Sequence, residues 1–425
     1  MKQQHKLQPK LRFPEFEGDW DKSNLGNISK KPKYGLNSSA TEYDGINGYL
    51  RITDIDESSN KFIKDKLTSP DSFSDEFLLK ERDLIFTRTG ASTGKSYLYT
   101  KEDGKLYFAG FLIKFSLKDI CNDKFVFYQT KLVRYSKWVK IMSMRSGQPG
   151  INSEEYSTLD IILPSLPEQQ KIADYLSTID TKINLLEEKK AQLALYKKAM
   201  MQKLFSQEIR FKPTQCHTEP VEVEPVEVEL METYPEWEEK RLGEVVSLKG
   251  GYAFKSDLFK ENGVSIMRIS NISNNNIYID ENNMVYYDDF KISNSYKVFT
   301  GELLIALSGA TTGKASIYNL ENFSYVNQRV GVFKSINKCY YNFIVQYIFS
   351  SSFTKELKKM LVAGAQPNIS TSEIESIILN MPTSEKEQQK IADFLSAIDE
   401  SIEKVTEQIT QTQQFKKAML QQLFV

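Results

Sequence analysis

The chain has 425 residues, of which 40% are hydrophobic, 12% aromatic and 26% charged, a composition that indicates folded domains and excludes a disordered or collagen-like chain. Its three cysteines lie far apart and only two histidines are present, which disfavours a disulfide scaffold, a zinc site and a histidine-dependent catalytic triad. No apolar run reaches the roughly 18 residues of a membrane span, and no signal-peptide core opens the chain, so we expect a cytoplasmic protein without membrane contact.

The charge of the chain is unevenly distributed. Residues 213–240 contain 1 basic and 9 acidic side chains, so this stretch alone carries −8. Because the whole chain has a net charge of −1, the remainder carries +7. That excess is compatible with a polyanionic partner, but it is mild, and proteins without such a partner would match it.

Residues 1–165 are predicted to form a first domain of mixed α/β (α+β) structure. Hydrophobic and polar residues alternate over 106–117 as in a β-strand, and residues 125–142 are predicted to form a helix. The glycine-containing turn GASTGKS at 90–96 precedes SYLYT, which is typical of a strand. This order predicts a β-rich globule with a turn between two of its strands.

Residues 166–212 are predicted to form a long helix. Its apolar residues recur in steps of four and three, which favours a coiled coil, and Ser165 with Glu168 fits a capping box at its start. Residues 213–240 follow as an acidic tether and the start of the second half, and they contain PVEVE twice in tandem, at 220–229. Proline at every fifth position prevents a helix, so we expect this tether to be extended and solvated.

The second half of the chain repeats the first. Residues 168–205 recur at 387–424 with 21 of 38 positions identical and no gap, so the chain arose by duplication. A second domain over 241–382 and a second long helix over 383–425 follow from this repeat, again with a capping box, Ser384 with Glu387. The two helices are expected to pair through matching apolar positions. The predicted pairing residues are Ile172, Leu176, Ile179, Ile183, Leu186, Ile391, Leu395, Ile398, Ile402 and Val405.

The GASTGKS turn is not expected to be a nucleotide-binding loop. Gly90 and Gly94 enclose three residues where a phosphate loop needs four, a strand follows instead of a helix, and the second copy lacks a Ser or Thr after Lys314. Two glycines in such a turn would instead let backbone amides and a lysine approach a phosphodiester, unless the turn is only a tight hairpin with a solvated lysine. No catalytic constellation is found, so the chain is not expected to be an enzyme.

Two globules, each opened by F/Y-P-E-F/W (13–16 and 234–237) and closed by EQQKIADYLSTID or EQQKIADFLSAID before a long helix, resemble the specificity subunit of type I restriction–modification enzymes. The resemblance implies that each globule is a target-recognition domain for one half of a split site in double-stranded DNA. It also implies that the helices pair antiparallel and dock two modification (methyltransferase) subunits, which would bind S-adenosylmethionine, whereas this chain needs no cofactor or metal. Whether restriction (translocase/nuclease) subunits join is left open, and the PVEVE tether is not part of the family pattern.

The turns and the two Gln-Pro segments supply the candidate DNA contacts. The candidates for phosphate contacts are Thr89, Ser92, Thr93, Lys95, Ser308, Thr311, Thr312 and Lys314. Arg88 and Arg145 could recognise guanine, and Gln148 and Gln366 could recognise adenine. Each could equally be a surface or structural residue, as could the aligned arginines at 51 and 268. A coiled-coil adaptor that joins proteins without touching DNA, and a nucleotide-dependent enzyme, remain alternative functions.

Overall fold

The computed structural model describes most of the chain and divides it into two compact units. Unit 1 comprises Met1–Glu187 and Glu407–Val425, and unit 2 comprises Glu188–Thr406. Each unit therefore contains one globule and a part of each long helix. The described residues are 7–57, 59–144, 148–213, 233–272, 277–288, 292–336, 339–362 and 368–425. Residues 214–232 of the predicted tether, with both copies of PVEVE, lie outside them, whereas its last residues, 237–240, belong to the first strand of unit 2.

Unit 1 is a mixed α/β globule. Its strands are β1 (Asp21–Asn24), β2 (Lys33–Tyr34), β3 (Ala40–Glu42), β4 (Gly48–Leu50), β5 (Thr68–Pro70), β6 (Asp83–Thr87), β7 (Ser96–Leu98), β8 (Leu106–Phe108), β9 (Leu112–Ser116) and β10 (Asp160–Leu163). Its helices are α1 (Leu25–Ile28), α2 (Asp123–Gln129), α3 (Val133–Met142), α4 (Ser153–Ser157) and the first part of the long α5 (Leu166–Phe205). The main sheet has the order β2-β9-β6-β7, and β4 pairs with β8 in parallel.

Strand β6 is buried along its whole length and lies at the centre of the core of unit 1. The Phe86 ring stacks on Tyr156 with centroids 4.7 Å apart and meets Phe115 edge-on at 5.8 Å. Such aromatic pairs add roughly 0.5–1.5 kcal/mol beyond the area that they bury. They join the sheet to α4, and thereby position the turn that follows β6.

Two sequence predictions for this globule need correction. The continuous strand over 106–117 is wrong, because a turn closed by the Leu112 amide on the Ala109 carbonyl sends β8 to β4 and β9 to β6. The helix predicted over 125–142 is interrupted between α2 and α3, and its counterpart in unit 2 is interrupted in the same way. The strand predicted after the GASTGKS turn is confirmed as β7.

Unit 2 repeats this architecture. Its strands are β11 (Trp237–Arg241), β12 (Val246–Gly250), β13 (Val264–Met267), β14 (Val285–Tyr287), β15 (Lys297–Val298), β16 (Leu303–Ala306), β17 (Ala315–Ile317), β18 (Ser324–Val326), β19 (Val330–Ser335) and β20 (Ile378–Pro382). Its helices are α6 (Tyr341–Ile348), α7 (Ser351–Val362), α8 (Thr371–Glu375) and most of α9 (Glu385–Leu423). The sheet order β12-β19-β16-β17 matches that of unit 1, and β13 pairs with β18 in parallel. The predicted mixed α/β class is confirmed.

A buried ion pair joins the two long helices in unit 2. Lys197 Nζ on α5 lies 2.7 and 2.6 Å from the two carboxylate oxygens of Asp399 on α9, and the side chains are only 9% and 10% exposed. Gln346 of α6 donates a further hydrogen bond of 3.1 Å to the same carboxylate. Lys197 is therefore neutralised between the two helices, and the globule is attached at the same point.

Unit 1 contains the counterpart of this pair. Lys416 of α9 pairs with Asp180 of α5, and the Tyr128 hydroxyl of α2 donates to the same carboxylate over 2.7 Å. Asp180 and Asp399 are 219 positions apart, as are Lys197 and Lys416, which is the offset of the sequence repeat. Here the lysine and aspartate side chains are 21% and 32% exposed, so the pair is less buried than in unit 2.

A second kind of ion pair fastens the chain to the start of each long helix. In unit 1, Arg12 Nε and Nη2 donate to Glu168 over 2.8 and 2.7 Å, so this buried glutamate binds an arginine where the sequence suggested only a helix cap. In unit 2, Arg210 forms the same fork with Glu387 over 3.0 and 2.9 Å. Such bidentate, charge-assisted contacts fix geometry as well as charge.

The position of Arg210 has two consequences. Since it follows α5 and contacts the start of α9, whereas Lys197 contacts α9 further along, the helices run antiparallel within unit 2. Arg210 Nη2 also donates to the carbonyl of Pro235 over 2.7 Å. The Arg210 guanidinium, which precedes the tether, therefore holds the tether near its end at Pro235.

We expect the two lysine–aspartate pairs to differ in their contribution to stability. Lys197→Met leaves a buried carboxylate without its cation and should cost about 3–5 kcal/mol of unfolding free energy. Lys416→Met, at the more exposed pair, should cost about 1 kcal/mol or less. Urea unfolding of the full chain, followed by circular dichroism, measures both. Equal losses would show that burial of the pair in unit 2 has no energetic consequence.

Candidate nucleic-acid interface

The turn between β6 and β7 packs against the first Gln-Pro segment. The Gly90 amide donates to the Pro149 carbonyl over 3.0 Å, and the Ile151 amide donates to the Arg88 carbonyl over 2.9 Å. Thr93 Oγ1 closes the turn on the Gly90 carbonyl over 2.7 Å. Two motifs that lie about 55 residues apart in the sequence therefore form one surface, which also carries Thr89, Ser92 and Gln148.

The glycines of this turn are required by packing. Gly94 has a φ of +92°, and a Cβ there would lie 2.4 Å from Val139 Cγ1 of α3. In unit 2, Gly313 has a φ of +83°, and its Cβ would lie 2.2 Å from Leu357 Cδ2 of α7. Since L-residues avoid this backbone region and the space is already filled, both positions accept only glycine.

Lys95 is held inside the globule. Its Nζ donates to the Ile55 carbonyl over 2.9 Å and lies 3.4 Å from Glu57, and its side chain is only 11% exposed. A phosphate contact by Lys95 stays a prediction, and it would compete with the Ile55 carbonyl. The solvated lysine of the simple hairpin alternative does not match this placement.

Arg88 lies at the edge of the turn between two aromatic rings. Its guanidinium carbon is 5.0 Å from the ring centroid of Tyr34 and 5.9 Å from that of Phe111. Its Nε is buried, and among the described residues it has no hydrogen-bond partner. An arginine held over aromatic faces keeps a planar fork for recognition of an acceptor pair. The two rings were not predicted, because a strand and a turn that lie 77 residues apart in the sequence bring them to Arg88.

The turn in unit 2 occupies the equivalent place between β16 and β17. Ser308 forms an isolated β-bridge with Asn368, and the Ile369 amide donates to the Leu307 carbonyl over 2.9 Å. Thr312 Oγ1 donates to the Gly309 carbonyl, as Thr93 does in unit 1. Lys314 immediately precedes β17.

Two candidate hydroxyl groups in this second turn are unsatisfied. Ser308 Oγ and Thr311 Oγ1 are buried and have no hydrogen-bond partner within the part of the chain that the structure describes. Buried polar groups are normally paired, so such groups call for a specific reason. Arg145 and Gln366, the remaining candidates, lie outside the described residues.

The arginines aligned at 51 and 268 have structural contacts. Arg51 Nε and Nη2 each donate to Asp54 over 2.8 Å, which raises the pKa of Arg51 and closes a short 3₁₀ helix. Arg268 Nη2 donates to the Asn283 carbonyl over 2.6 Å. The structural interpretation of Arg51 is therefore supported by its contacts.

Most of the predicted pairing residues are buried along the two long helices. Ile172, Leu176 and Ile179 share a buried cluster with Leu423 and Phe424 in unit 1. The remaining positions are as follows: Ile183, Ile391, Leu395, Ile398 and Val405 are buried, whereas Leu186 and Ile402 are half-buried. Such burial fits pairing and packing, while direct docking of a partner by these side chains stays a prediction.

Neither cysteine in the described part of the chain is suited to nucleophilic chemistry. Burial raises the pKa of Cys121 and of Cys339 to about 11, so both thiols stay protonated near neutral pH. Over the described ranges, no group of three or more His, Cys, Asp or Glu side chains could hold a metal ion. No described helix is long and apolar enough to cross a membrane.

Comparison with solved structures supports this fold. A type I restriction–modification S subunit from M. genitalium has a TM-score of 0.63 at 16% identity, with 99% of each chain covered. A chain from a structure described as concerning complex assembly and conformational transition of the type I R-M system has a TM-score of 0.52 at 15% identity, again with 99% of each chain covered. At these identities the likeness shows the fold alone.

Sequence comparisons identify the family. The MjaVIII specificity subunit of a type I restriction enzyme from Methanocaldococcus jannaschii is 28% identical, over 96% of this chain and 92% of its own. A putative MjaX specificity subunit from the same organism is 26% identical, over 97% and 94%. The family model described as "Type I restriction modification DNA specificity domain" matches residues 17–195 and again residues 234–412. Since these matches cover both halves, this chain belongs to the family of type I restriction–modification specificity subunits, which recognise DNA and are not catalytic.

Proposed function

We propose that this chain recognises a bipartite DNA site, with the globule of each unit bound to one half-site. The observation that carries the proposal is the duplicated turn. Each unit places a Gly-x-x-x-Gly-Lys turn between two strands of its main sheet, beside the residues that directly follow a Gln-Pro pair in the sequence. Phosphate contacts at the turns would position the protein, and side chains of the adjoining segments would distinguish bases.

Several features of the described residues support DNA as the partner. Arg88 has an unpaired buried Nε beside two exposed aromatic rings, and Ser308 and Thr311 have unpaired hydroxyl groups. The chain outside its acidic stretch carries a positive charge. Because the two globules differ in sequence, the two half-sites are expected to differ as well, so the site need not be a palindrome.

We further propose that the long helices dock two modification subunits. Tyr196 of α5 and Phe415 of α9 are 219 positions apart and are 49% and 48% exposed. Exposed aromatic side chains are enriched at protein interfaces. Two equivalent aromatic positions suit two identical partners, and these partners would bind S-adenosylmethionine. Whether restriction subunits join stays open.

The two-reader proposal predicts the outcome of a domain exchange. If residues 1–165 are replaced by the matching globule of a relative, one half of the methylated motif should change. The other half and the spacing should persist, since the second globule and the helices are unaltered. Methylome sequencing of a host that carries each version measures this. A change in both half-sites would contradict the proposal, and an adaptor without DNA contact would leave no motif that depends on this gene.

The docking proposal predicts the effect of removing the exposed rings. Tyr196→Ala and Phe415→Ala should each reduce the number of bound modification subunits from two to one, and the double variant should bind none. Lys198→Ala, at an exposed position on the same helix, is the matched control. Size exclusion with light scattering reads the stoichiometry. A double variant that still binds two subunits would exclude these rings from the interface.

The contacts of Arg210 predict that the tether does not determine the spacing of the DNA site. Deletion of residues 225–229, one PVEVE copy, should leave both half-sites and the spacing unchanged, because Arg210 still joins Glu387 to the Pro235 carbonyl. Arg210→Gln, which leaves Glu387 buried and unpaired, should instead cost about 3–5 kcal/mol of stability. Arg12→Gln is the matched control. It removes the arginine that pairs with Glu168 in unit 1, where no tether is held. A methylome in which the deletion alters the spacing would contradict this role of Arg210.

A further inference from the structure

A polar pocket of about 290 Å³ lies in unit 1 beside the GASTGKS turn. It is lined by the turn, by the start of β7 and by residues around the break between α2 and α3. The lining includes two lysines, Lys95 and Lys131, and the hydroxyl groups of Ser92, Ser96 and Thr130. Lys131 was not among the residues that the sequence suggested.

The Lys131 side chain is half-buried and has no carboxylate partner among the described residues. Its Nζ donates to Ser96 Oγ over 2.9 Å and lies 4.0 Å from the centroid of the Phe127 ring. Across the described ranges no Asp or Glu forms an ion pair with it, although an ammonium group has three donors to satisfy. Burial lowers the pKa of Lys131 well below its usual value, and the neighbouring charge of Lys416 adds to this effect.

The charged groups around Lys131 leave its charge uncompensated. Asp180 lies on α5 but already pairs with Lys416. On the other side of the pocket, Glu57 lies 3.4 Å from Lys95 Nζ, and its side chain is 85% exposed. Both nearby carboxylates are therefore bound to other lysines, so the pocket has a net demand for negative charge.

The turn adds backbone donors to the same pocket. For the amides of Ala91 and Ser92, no acceptor is found among the described residues, whereas the next amides close the turn on Gly90 and Thr87. Successive free N–H groups beside lysines and hydroxyls form the kind of concavity that binds a phosphate group. The turn supplies the backbone N–H donors, and Lys131, in the loop between α2 and α3, supplies the positive charge.

The position in unit 2 that corresponds to Lys131 is apolar. Tyr128 and Gln346 contact equivalent aspartates, and Val139 and Leu357 contact equivalent glycines, so positions in this region correspond at an offset of 218. By this correspondence Phe349 stands where Lys131 stands in unit 1. The fold therefore does not need a lysine here, and its presence in unit 1 calls for a ligand.

We propose that the pocket formed by Lys131, Lys95, Ser96 and the amides of Ala91 and Ser92 binds one phosphate group, and that this is a backbone phosphate of the half-site recognised by unit 1. The assignment to DNA rests on the function proposed above, whereas the phosphate site itself does not. Free phosphate has the same chemistry and is distinguished by experiment. Unit 1 would then hold one phosphate contact that unit 2 lacks.

The test compares Lys131→Met with Lys124→Met, which removes the same charge from an exposed position on α2. Binding of the cognate duplex by the complex with modification subunits is measured over a range of salt concentrations. Lys131→Met should reduce affinity roughly tenfold and lower the slope of log K against log salt by about 0.9, one phosphate contact. Lys131→Phe, which copies the residue of unit 2, provides a second variant if the first fails to fold. Equal effects of Lys131→Met and Lys124→Met would overturn the DNA assignment.

A second titration uses inorganic phosphate and the full chain without DNA. Calorimetric binding that is lost in Lys131→Met, with an unchanged DNA salt slope, supports the phosphate site and overturns DNA as its source. If Lys131→Met changes neither the calorimetric binding of phosphate nor the salt dependence of DNA binding, the proposed phosphate site is wrong. If wild type fails to bind any specific duplex, the proposed function fails, while the phosphate titration still decides the site.

Discussion

The lysine–aspartate pairs between the long helices are the contacts on which the rest of the molecule depends. A buried charge between two helices is costly unless its partner neutralises it, so the buried pair of unit 2 favours the register that brings Lys197 to Asp399. The same carboxylates also accept a hydrogen bond from the globules, through Tyr128 in unit 1 and Gln346 in unit 2. One interaction therefore fixes helix register and globule attachment together.

The arginine–glutamate forks extend this logic to the chain ends of each globule. Glu168 and Glu387 are almost fully buried at the first turns of α5 and α9, and each binds a guanidinium that also holds backbone carbonyls. A rigid junction of this kind suits a protein that must present recognition surfaces at a defined place. Changes in the length of the loops beyond these arginine–glutamate pairs therefore need not alter the packing of the core.

Much of the architecture could be predicted from the sequence, because the duplication exposes it. The long helices, the strand after each turn and the mixed class follow from local periodicity. The interruption between α2 and α3 could not, since residues 125–142 are apolar enough for one helix. The partner of Lys197 lies 202 positions away, and Tyr34 reaches Arg88 only through the sheet. Such contacts depend on tertiary structure, which a linear pattern does not contain.

The crossed ion pairs also bear on how the two halves of the gene have diverged. Lys197 has its partner in the second copy of the helix, and Asp180 has its partner there too. A substitution at one of these positions therefore alters a contact with the other helix. The two helices must evolve together, whereas the globules can diverge. The residues of both pairs belong to the 21 identical positions among 38 in the helices, whereas the globules retain only short matching segments.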